Sequence, residues 1–158
     1  MTYTLTCLDA CWESLSGSRQ ADYLVQIRDL YRLAGWWSEP GDTLEKLARI
    51  ITGSHCFVAA IQQTPEVILG MGRAISDRAS DAYIQDVMVR PVFRRQAIAT
   101  AILKCVIERL EQDKMAWIGL IAQEGTRPFY DSLGFSEIPG ALPMLRIKVE
   151  KGLAALAP

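Results

Sequence analysis

The sequence predicts an α/β fold of the α+β type, in which a mixed sheet carries helices on its faces. Two observations predict it. In three segments the apolar residues recur at steps of three and four, which is the spacing of amphipathic helices. Between them lie short apolar or alternating runs typical of strands, ordered as three antiparallel strands before one β-α-β unit. The 158 residues, half of them hydrophobic, suit a single domain over residues 1–158.

The predicted order of elements is β-α-α-β-β-β-α-β-α-β. The first half contains a short strand, two helices and a hairpin of two strands. Asp42 stands three residues before Glu45, which resembles a capping box and begins the second helix, and Gly53 ends it. The first strand is predicted at 3–8, the first helix at 19–34, and the two strands of the hairpin at 56–61 and 67–75.

In the second half of the chain, a strand-like spacing of the apolar residues is twice followed by a helix-like spacing. A fourth strand is predicted at 82–89, ended by Pro91, and a helix at 96–111. A buried strand at 116–122, a short helix at 126–133 stopped by Gly134, and a last strand at 144–149 complete the pattern. We expect residues 152–158 to fray.

Charge and composition exclude several kinds of partner. The formal net charge is −1, so nothing predicts a nucleic-acid or anionic membrane partner. No apolar run reaches the roughly 18 residues of a membrane span, and the N-terminus shows no signal-peptide pattern, which predicts a cytoplasmic protein. Four cysteines and one histidine lack the paired spacing of a zinc site, so we expect reduced, mostly buried thiols and no metal.

The strongest functional segment runs from Val87 to Leu103, where a strand ends and a helix begins. The first turn of a helix has backbone N–H groups without internal partners, and the helix dipole adds positive potential there. Small residues at 97 and 99 let an anion approach, and Arg94 and Arg95 lie beside it. The segment therefore suits a pyrophosphate, although a plain helix start with two solvated arginines is the alternative.

This segment resembles the acetyl-CoA motif of the GCN5-related N-acetyltransferase (GNAT) superfamily, Arg/Gln-x-x-Gly-x-Gly/Ala. Arg94 matches its first position, Ala97 its first glycine and Ala99 its second small residue. Residues 128–135, Pro-Phe-Tyr-Asp-Ser-Leu-Gly-Phe, are similar to the family's second motif, and the order of strands and helices agrees over nearly the whole chain. The resemblance implies a GNAT-like acyl-CoA N-acyltransferase fold.

The resemblance also implies an enzyme with acetyl-CoA as co-substrate. The acetyl group would pass to a primary amine, of a small molecule or a peptide, by direct attack in a ternary complex. The backbone of Val87 would polarise the thioester carbonyl, and Tyr130 would protonate the leaving thiolate. The implied cofactor-binding residues are Val87, Met88, Val89, Arg94, Arg95, Gln96, Ala97, Ile98, Ala99 and Thr100. Two positions depart from the family pattern: Ala97 replaces the usual glycine, and Gln123 stands where asparagine is common.

No motif assigns the general base. Asp86 is the only carboxylate within the fourth strand, and it is the candidate. Period-two alternation places Tyr83, Gln85 and Val87 on one face and Asp86 on the other, but a β-bulge would exchange the faces. A salt-bridged structural role for Asp86, or a water chain in its place, stays open.

The amine acceptor is expected near Trp36 and Trp37, which follow the first helix, and near Tyr83 and Gln85 on the fourth strand. Aromatic walls suit an apolar or cationic amine, although core packing explains the tryptophans equally well. Two other functions stay open: an acyl-CoA-binding sensor without catalysis, which Ala97 and the unassigned base allow, and an interaction domain without CoA. The apolar edges of so small a domain allow a homodimer, but no particular residue predicts one.

Overall fold

A computed structural model describes residues 2–146 of the chain. These residues divide into two compact units at the bond between Ala122 and Gln123. The first unit contains β1 (Thr4–Cys7), α1 (Leu8–Cys11), a 3-10 turn (Trp12–Ser14), α2 (Gly17–Leu33), α3 (Leu44–Gly53), β2 (Cys56–Gln63), β3 (Glu66–Ser76), β4 (Asp81–Val89), a second 3-10 turn (Pro91–Phe93), α4 (Ile98–Gln112) and β5 (Trp117–Leu120). The second unit contains α5 (Arg127–Asp131).

The five strands form one sheet in the order β1-β2-β3-β4-β5. The first four strands pair antiparallel, and β4 pairs parallel with β5. Because parallel neighbours need a crossover, α4 connects them and packs on β2, β3 and β4. The mixed sheet with helices confirms the predicted fold class.

The main core lies between the sheet and the helices α1, α2 and α3. It contains Tyr23, Ile27, Leu30 and Tyr31 of α2, which are the buried members of the stripe that the sequence predicts. From the sheet, the largest contribution is Phe57, which is fully buried. Of the predicted face of α4, Ile98, Ile102, Val106 and Leu110 are buried, whereas Cys105 is only half-buried; Leu103 is buried in addition.

The start of α3 differs from the prediction. The N-cap is Thr43 and not Asp42, because the Thr43 hydroxyl accepts a hydrogen bond from the Lys46 backbone N–H at 3.1 Å. The Asp42 carboxylate instead accepts from the Ser38 backbone N–H at 2.7 Å and pairs with the Lys46 ammonium at 2.5 Å. These bonds lower the pKa of Asp42, the Lys46 hydrogen bond most strongly.

Other differences lie at the short or terminal elements. Helix α1 and the 3-10 turn after it are too short to show a period in the sequence. The predicted last strand begins at Met144, but residues 144–146 have no regular secondary structure. The rest of that strand, 147–149, and the tail 152–158 lie outside the described residues.

In the second unit, α5 occupies the middle of the predicted helix 126–133. Gly134 follows with a φ of +89°, the left-handed conformation in which glycine ends helices most readily. Among residues 2–146, no helix is long and apolar enough to cross a membrane.

Candidate active site

Two residues in the turn between β4 and α4 adopt the left-handed backbone conformation. Arg95 has a φ of +63°, and Ala97, the N-cap of α4, has φ +57° and ψ +13°. The Ala97 carbonyl accepts the first helical bond, from Ala101 N–H at 3.0 Å. Helix α4 therefore starts at Ile98, two residues later than the sequence predicts, and the N–H groups of its first turn point out of the helix end.

The side chains around this helix end divide into two groups. Ile98 is buried under the turn, whereas the residues from Arg94 to Ala97 are exposed. The Arg94 guanidinium reaches back to the end of β4, where Nε donates to the Val89 carbonyl at 3.2 Å and Nη2 contacts Met88 Sδ at 3.7 Å. The Arg94 side chain thus connects the turn to the end of β4. Ala99 and Thr100 lie half-buried in the first turn of α4.

Strand β4 contains a bulge at Asp86. Its φ of +57° is left-handed, and the register against β3 shifts between Met71 and Arg73. After the bulge, Val87 lies on the α4 side, since a Cβ on Gly72 would come within 3.5 Å of the Val87 side chain and 2.8 Å of Ile102. Asp86 is turned to the α2 side, where it contacts Arg73, the cross-strand partner of Gln85. Because directly opposite residues share a face, the bulge places Asp86 on the same face as Gln85 and Val87 on the other, which simple alternation does not give.

Beyond the bulge, β4 has a free edge on its β5 side. The last pair between these strands is Ile84 with Leu120, whereas β4 continues to Val89. Within residues 2–122, the stretch from Gln85 to Val89 therefore extends past the end of β5. Apart from the Val89 carbonyl, which accepts from Arg94, the backbone groups along such an edge can pair with an extended ligand.

Asp86 borders a cavity of about 210 Å³ on the α2 side of the sheet. Trp36 and Trp37 line the same cavity, so three of the predicted site residues meet there. The remaining lining residues are Tyr31, Asp42, Thr43, Lys46, Leu47, Ile50 and Arg73. The Trp36 ring packs edge-on against Tyr31, with centroids 6.1 Å apart and planes at 70°.

Tyr83 and Gln85, the other predicted acceptor residues, are half-buried on β4 and do not line this cavity. Tyr83 pairs with Ile75 on one side and with Gly119 on the other. Gln85 pairs with Arg73.

The charged groups of the cavity are paired. The Asp86 Oδ2 atom accepts from Arg73 Nε at 2.5 Å and from the Tyr31 hydroxyl at 2.7 Å. Burial, and then the charge of Asp86, raise the pKa of Tyr31, so its hydroxyl stays protonated as a donor. Two residues after Trp37, hydrogen bonds from Trp37 and then Arg32 lower the pKa of the exposed Glu39.

Sequence reasoning missed Arg73 and Tyr31. Tyr31 has the period of a core residue and is indeed 7% exposed. The signal for Arg73 is present in the sequence, since one arginine stands inside the apolar strand run 67–75 and must find a partner there.

His55, the only histidine of the chain, is buried. Its Nδ1 lies 2.5 Å from the Ser76 hydroxyl, and its Nε2 lies 2.8 Å from Asp113 Oδ2. Asp113 pairs further with Arg109 at 2.6 Å. This chain of bonds links the start of β2 to the end of β3 and the C-terminus of α4.

The cysteines are free thiols, and the pKa is raised at Cys11, Cys56 and Cys105. Desolvation by burial is the largest cause in each case; it raises the pKa of Cys11, and that of Cys56 to about 12 and Cys105 to about 11. A thiol with a raised pKa is a poor nucleophile at neutral pH. Among residues 2–146, no group of three or more histidine, cysteine or acidic side chains could hold a metal.

In the second unit, Tyr130 lies on α5 between two other aromatic rings. Its ring centroid is 5.1 Å from Phe129 and 6.1 Å from Phe135, the latter edge-on. Phe135 N–H donates to the Tyr130 carbonyl at 3.2 Å. The Gly-Phe element therefore closes the end of this helix.

A mixed sheet with a bulged β4 that extends past β5, followed by an open helix N-terminus, agrees with the acyltransferase fold that the sequence resemblance implies. A family model described as the acetyltransferase (GNAT) domain matches residues 37–142. The chain belongs to the GNAT acetyltransferase family.

Individual relatives agree with this assignment. The chain is 32% identical over 126 residues to a probable acetyltransferase, TAP2, of Glycine max, covering 73% of this chain and 50% of that protein. It is 28% identical over 118 residues to an uncharacterised N-acetyltransferase, ycf52, of Pyropia yezoensis, covering 73% and 66%. The chain thus spans about half to two thirds of the length of these curated relatives.

A solved GNAT-family structure, SP0256 from Streptococcus pneumoniae, superposes with a TM-score of 0.71 at 20% identity. The match covers 94% of this chain and 100% of that one. At this identity the match shows the shared fold.

Proposed function

We propose that this chain transfers the acetyl group of acetyl-CoA to the primary amine of a small molecule or peptide, by direct attack in a ternary complex. The observation that supports it most is the left-handed turn at Ala97, which leaves the N-terminus of α4 open directly after the unpaired end of β4. An anion and an extended arm can bind to these two neighbouring backbone surfaces.

The residues present fit acetyl-CoA. Its pyrophosphate would lie against the first turn of α4, where Ile98, Ala99 and Thr100 offer backbone N–H groups, with the exposed Arg95 and Gln96 beside it. Arg94 would support this turn through its bond to Val89. The pantetheine arm would run along the backbone of residues 87–89, and the Val87 amide would polarise the carbonyl.

The acceptor amine would enter the cavity lined by Trp36, Trp37 and Asp86. Aromatic walls with a carboxylate bind a cationic amine well. Before attack the amine must lose a proton, and Asp86 would take it as the general base. Tyr83 and Gln85 stay predicted contacts further along the same strand.

Bound acetyl-CoA would supply the thioester carbonyl and the thiolate leaving group. The match of residues 128–135 to the family motif supports Tyr130 as the acid that protonates this thiolate. Direct attack is favoured over an acyl-enzyme because burial raises the pKa of Cys11, Cys56 and Cys105.

The test incubates the protein with acetyl-CoA and a panel of primary amines, and follows free thiol. We expect turnover with at least one amine and a loss of about a hundredfold in kcat for Tyr130→Phe. Acetyl-CoA affinity, measured by calorimetry, should be unchanged in this variant. Tyr23→Phe is the matched control, because Tyr23 is a buried tyrosine that contacts Glu66 and does not line the cavity.

Other outcomes are equally informative. Acetyl-CoA binding without turnover across the panel would favour the sensor, and no binding at all would exclude both the enzyme and the sensor. The single domain, the homodimer and the cytoplasmic location stay predictions.

A further inference from the structure

We infer that Tyr31 and Arg73 are positioning residues that hold the Asp86 carboxylate in one orientation toward the acceptor amine. This assignment rests on the proposed function, in which Asp86 acts as the base. It adds two side chains, from α2 and β3, that no sequence motif indicates.

Both donors act on the same oxygen of Asp86. Arg73 Nε donates to Oδ2 at 2.5 Å and Tyr31 Oη donates to Oδ2 at 2.7 Å. Among residues 2–146, no hydrogen bond reaches Oδ1 of Asp86. Rotation of the carboxylate would break both bonds to Oδ2, so Oδ1 is the oxygen left to accept a proton from an amine in the cavity.

The two donors are themselves held in place. Arg73 Nη1 lies 3.5 Å from the hydroxyl of Ser54, which is buried and donates to the Ile50 carbonyl at 2.6 Å. Tyr31 is packed in the core between α2 and the sheet. Donors anchored in rigid elements keep a functional carboxylate within the narrow range of geometry that proton transfer needs.

The burial of this group also indicates a positional role. The side chains of Arg73 and Asp86 are only 13% and 19% exposed. Taking both charges out of water costs much of their mutual attraction, so a buried ion pair is weak evidence for stability. The Arg73–Asp86 pair lies on the cavity wall, at a bulge that turns Asp86 toward α2. This position fits a role in the reaction.

Tyr31 also joins the carboxylate to the wall of the cavity. Its ring packs against Trp36, and its carbonyl accepts the Trp36 backbone N–H at 2.9 Å. The raised pKa of Tyr31 keeps its hydroxyl protonated, which fits a donor and excludes a second base. Tyr31 thereby positions both the Asp86 carboxylate and the Trp36 ring, which is the aromatic surface against which the acceptor would lie.

The first experiment compares Tyr31→Phe with Tyr23→Phe in the thiol-release assay. Each removes one hydroxyl that donates to a carboxylate from a buried position on α2, but only Tyr31 lines the cavity. We expect kcat to fall about tenfold in Tyr31→Phe, with the KM of the amine and the Kd of acetyl-CoA unchanged. Tyr23→Phe should keep the wild-type kcat. Equal kcat values in the two variants would overturn the assignment.

The second experiment tests whether Tyr31 acts through Asp86. In an Asp86→Asn background, Tyr31→Phe should cause no further loss of kcat, because the group it positions is gone. If the two substitutions lowered kcat by factors that multiply in the double variant, the assignment would be contradicted.

Arg73 supplies an independent variant in case one protein does not fold. Arg73→Met should lose kcat, and Arg73→Lys should recover part of it by restoring the charge beside Asp86. A lysine variant no better than the methionine variant would count against a positioning role for Arg73. A wild-type protein without turnover for any amine would overturn the proposed function and this inference together, whereas turnover with unaffected variants would overturn the inference alone.

Discussion

Replacement of Ala97 by glycine should stabilise the protein. Ala97 has φ +57° and ψ +13°, where the Cβ of an L-residue crowds the following carbonyl. The strain amounts to about 1–2 kcal/mol for a non-glycine residue. Glycine relieves it but loses about 0.5–1 kcal/mol through the greater freedom of the unfolded chain. With values near the middle of each range, the net gain in the free energy of unfolding is about 0.5–1 kcal/mol.

Thermal unfolding followed by circular dichroism measures this gain. For a chain of this length, 1 kcal/mol corresponds to about 2–4 °C in Tm, so we expect a rise of roughly 1–4 °C. Ala101→Gly is the matched control, since Ala101 lies one turn further along α4 in ordinary helical conformation. Glycine in a helix interior costs about 1 kcal/mol, so the control should lower Tm.

The opposite signs of the two substitutions separate backbone strain from a general effect of glycine. If Ala97→Gly lowered Tm as much as Ala101→Gly, residue 97 would not be left-handed and the start of α4 would be wrong. Acetyl-CoA titration of the same variant completes the comparison. We expect binding at least as tight as that of the wild type, because no methyl group then stands at the exposed helix end.

Two further predictions concern buried and turn-forming polar groups. His55→Ala should lower the free energy of unfolding by about 1–3 kcal/mol, since Ser76 and Asp113 lose their shared partner. Urea unfolding measures this loss. A change under about 0.5 kcal/mol would contradict a structural role for His55. Asp77 accepts three backbone N–H bonds in the turn before β4, and these lower its pKa. Its contribution to stability is complete above the unfolded pKa of about 3.9 and is lost as pH falls toward the folded value. The Tm difference between wild type and Asp77→Asn should therefore shrink on acidification below about pH 4; a difference that stays constant down to pH 2.5 would refute this.

Much of the architecture follows from local patterns. The stripes of α2 and α4 and the runs of β2 to β4 agree with the prediction because helical and strand periods are properties of neighbouring residues. A helix start after Arg94 is also recognisable from the composition of the segment, although α4 begins at Ile98, two residues later than predicted. The N-cap of α3 was misplaced by one residue, since Asp42 and Thr43 are both good caps and only the folded turn decides between them.

The chemistry of the cavity depends on contacts that no local pattern contains. The orientation of Asp86 depends on a bulge, and a bulge exists only relative to the residues of β3 that β4 faces. Along the chain, Asp86 lies 13 positions from Arg73 and 55 positions from Tyr31, yet the three side chains meet at one carboxylate oxygen.

The sequence by itself thus determined the class of fold and the family motifs, because each arises within a few successive residues. The tertiary structure alone decided the left-handed conformation of Ala97, since alanine carries no signal for it. It also decided which way Asp86 faces and which donors hold it, because pairing between strands and packing between helix and sheet bring those groups together.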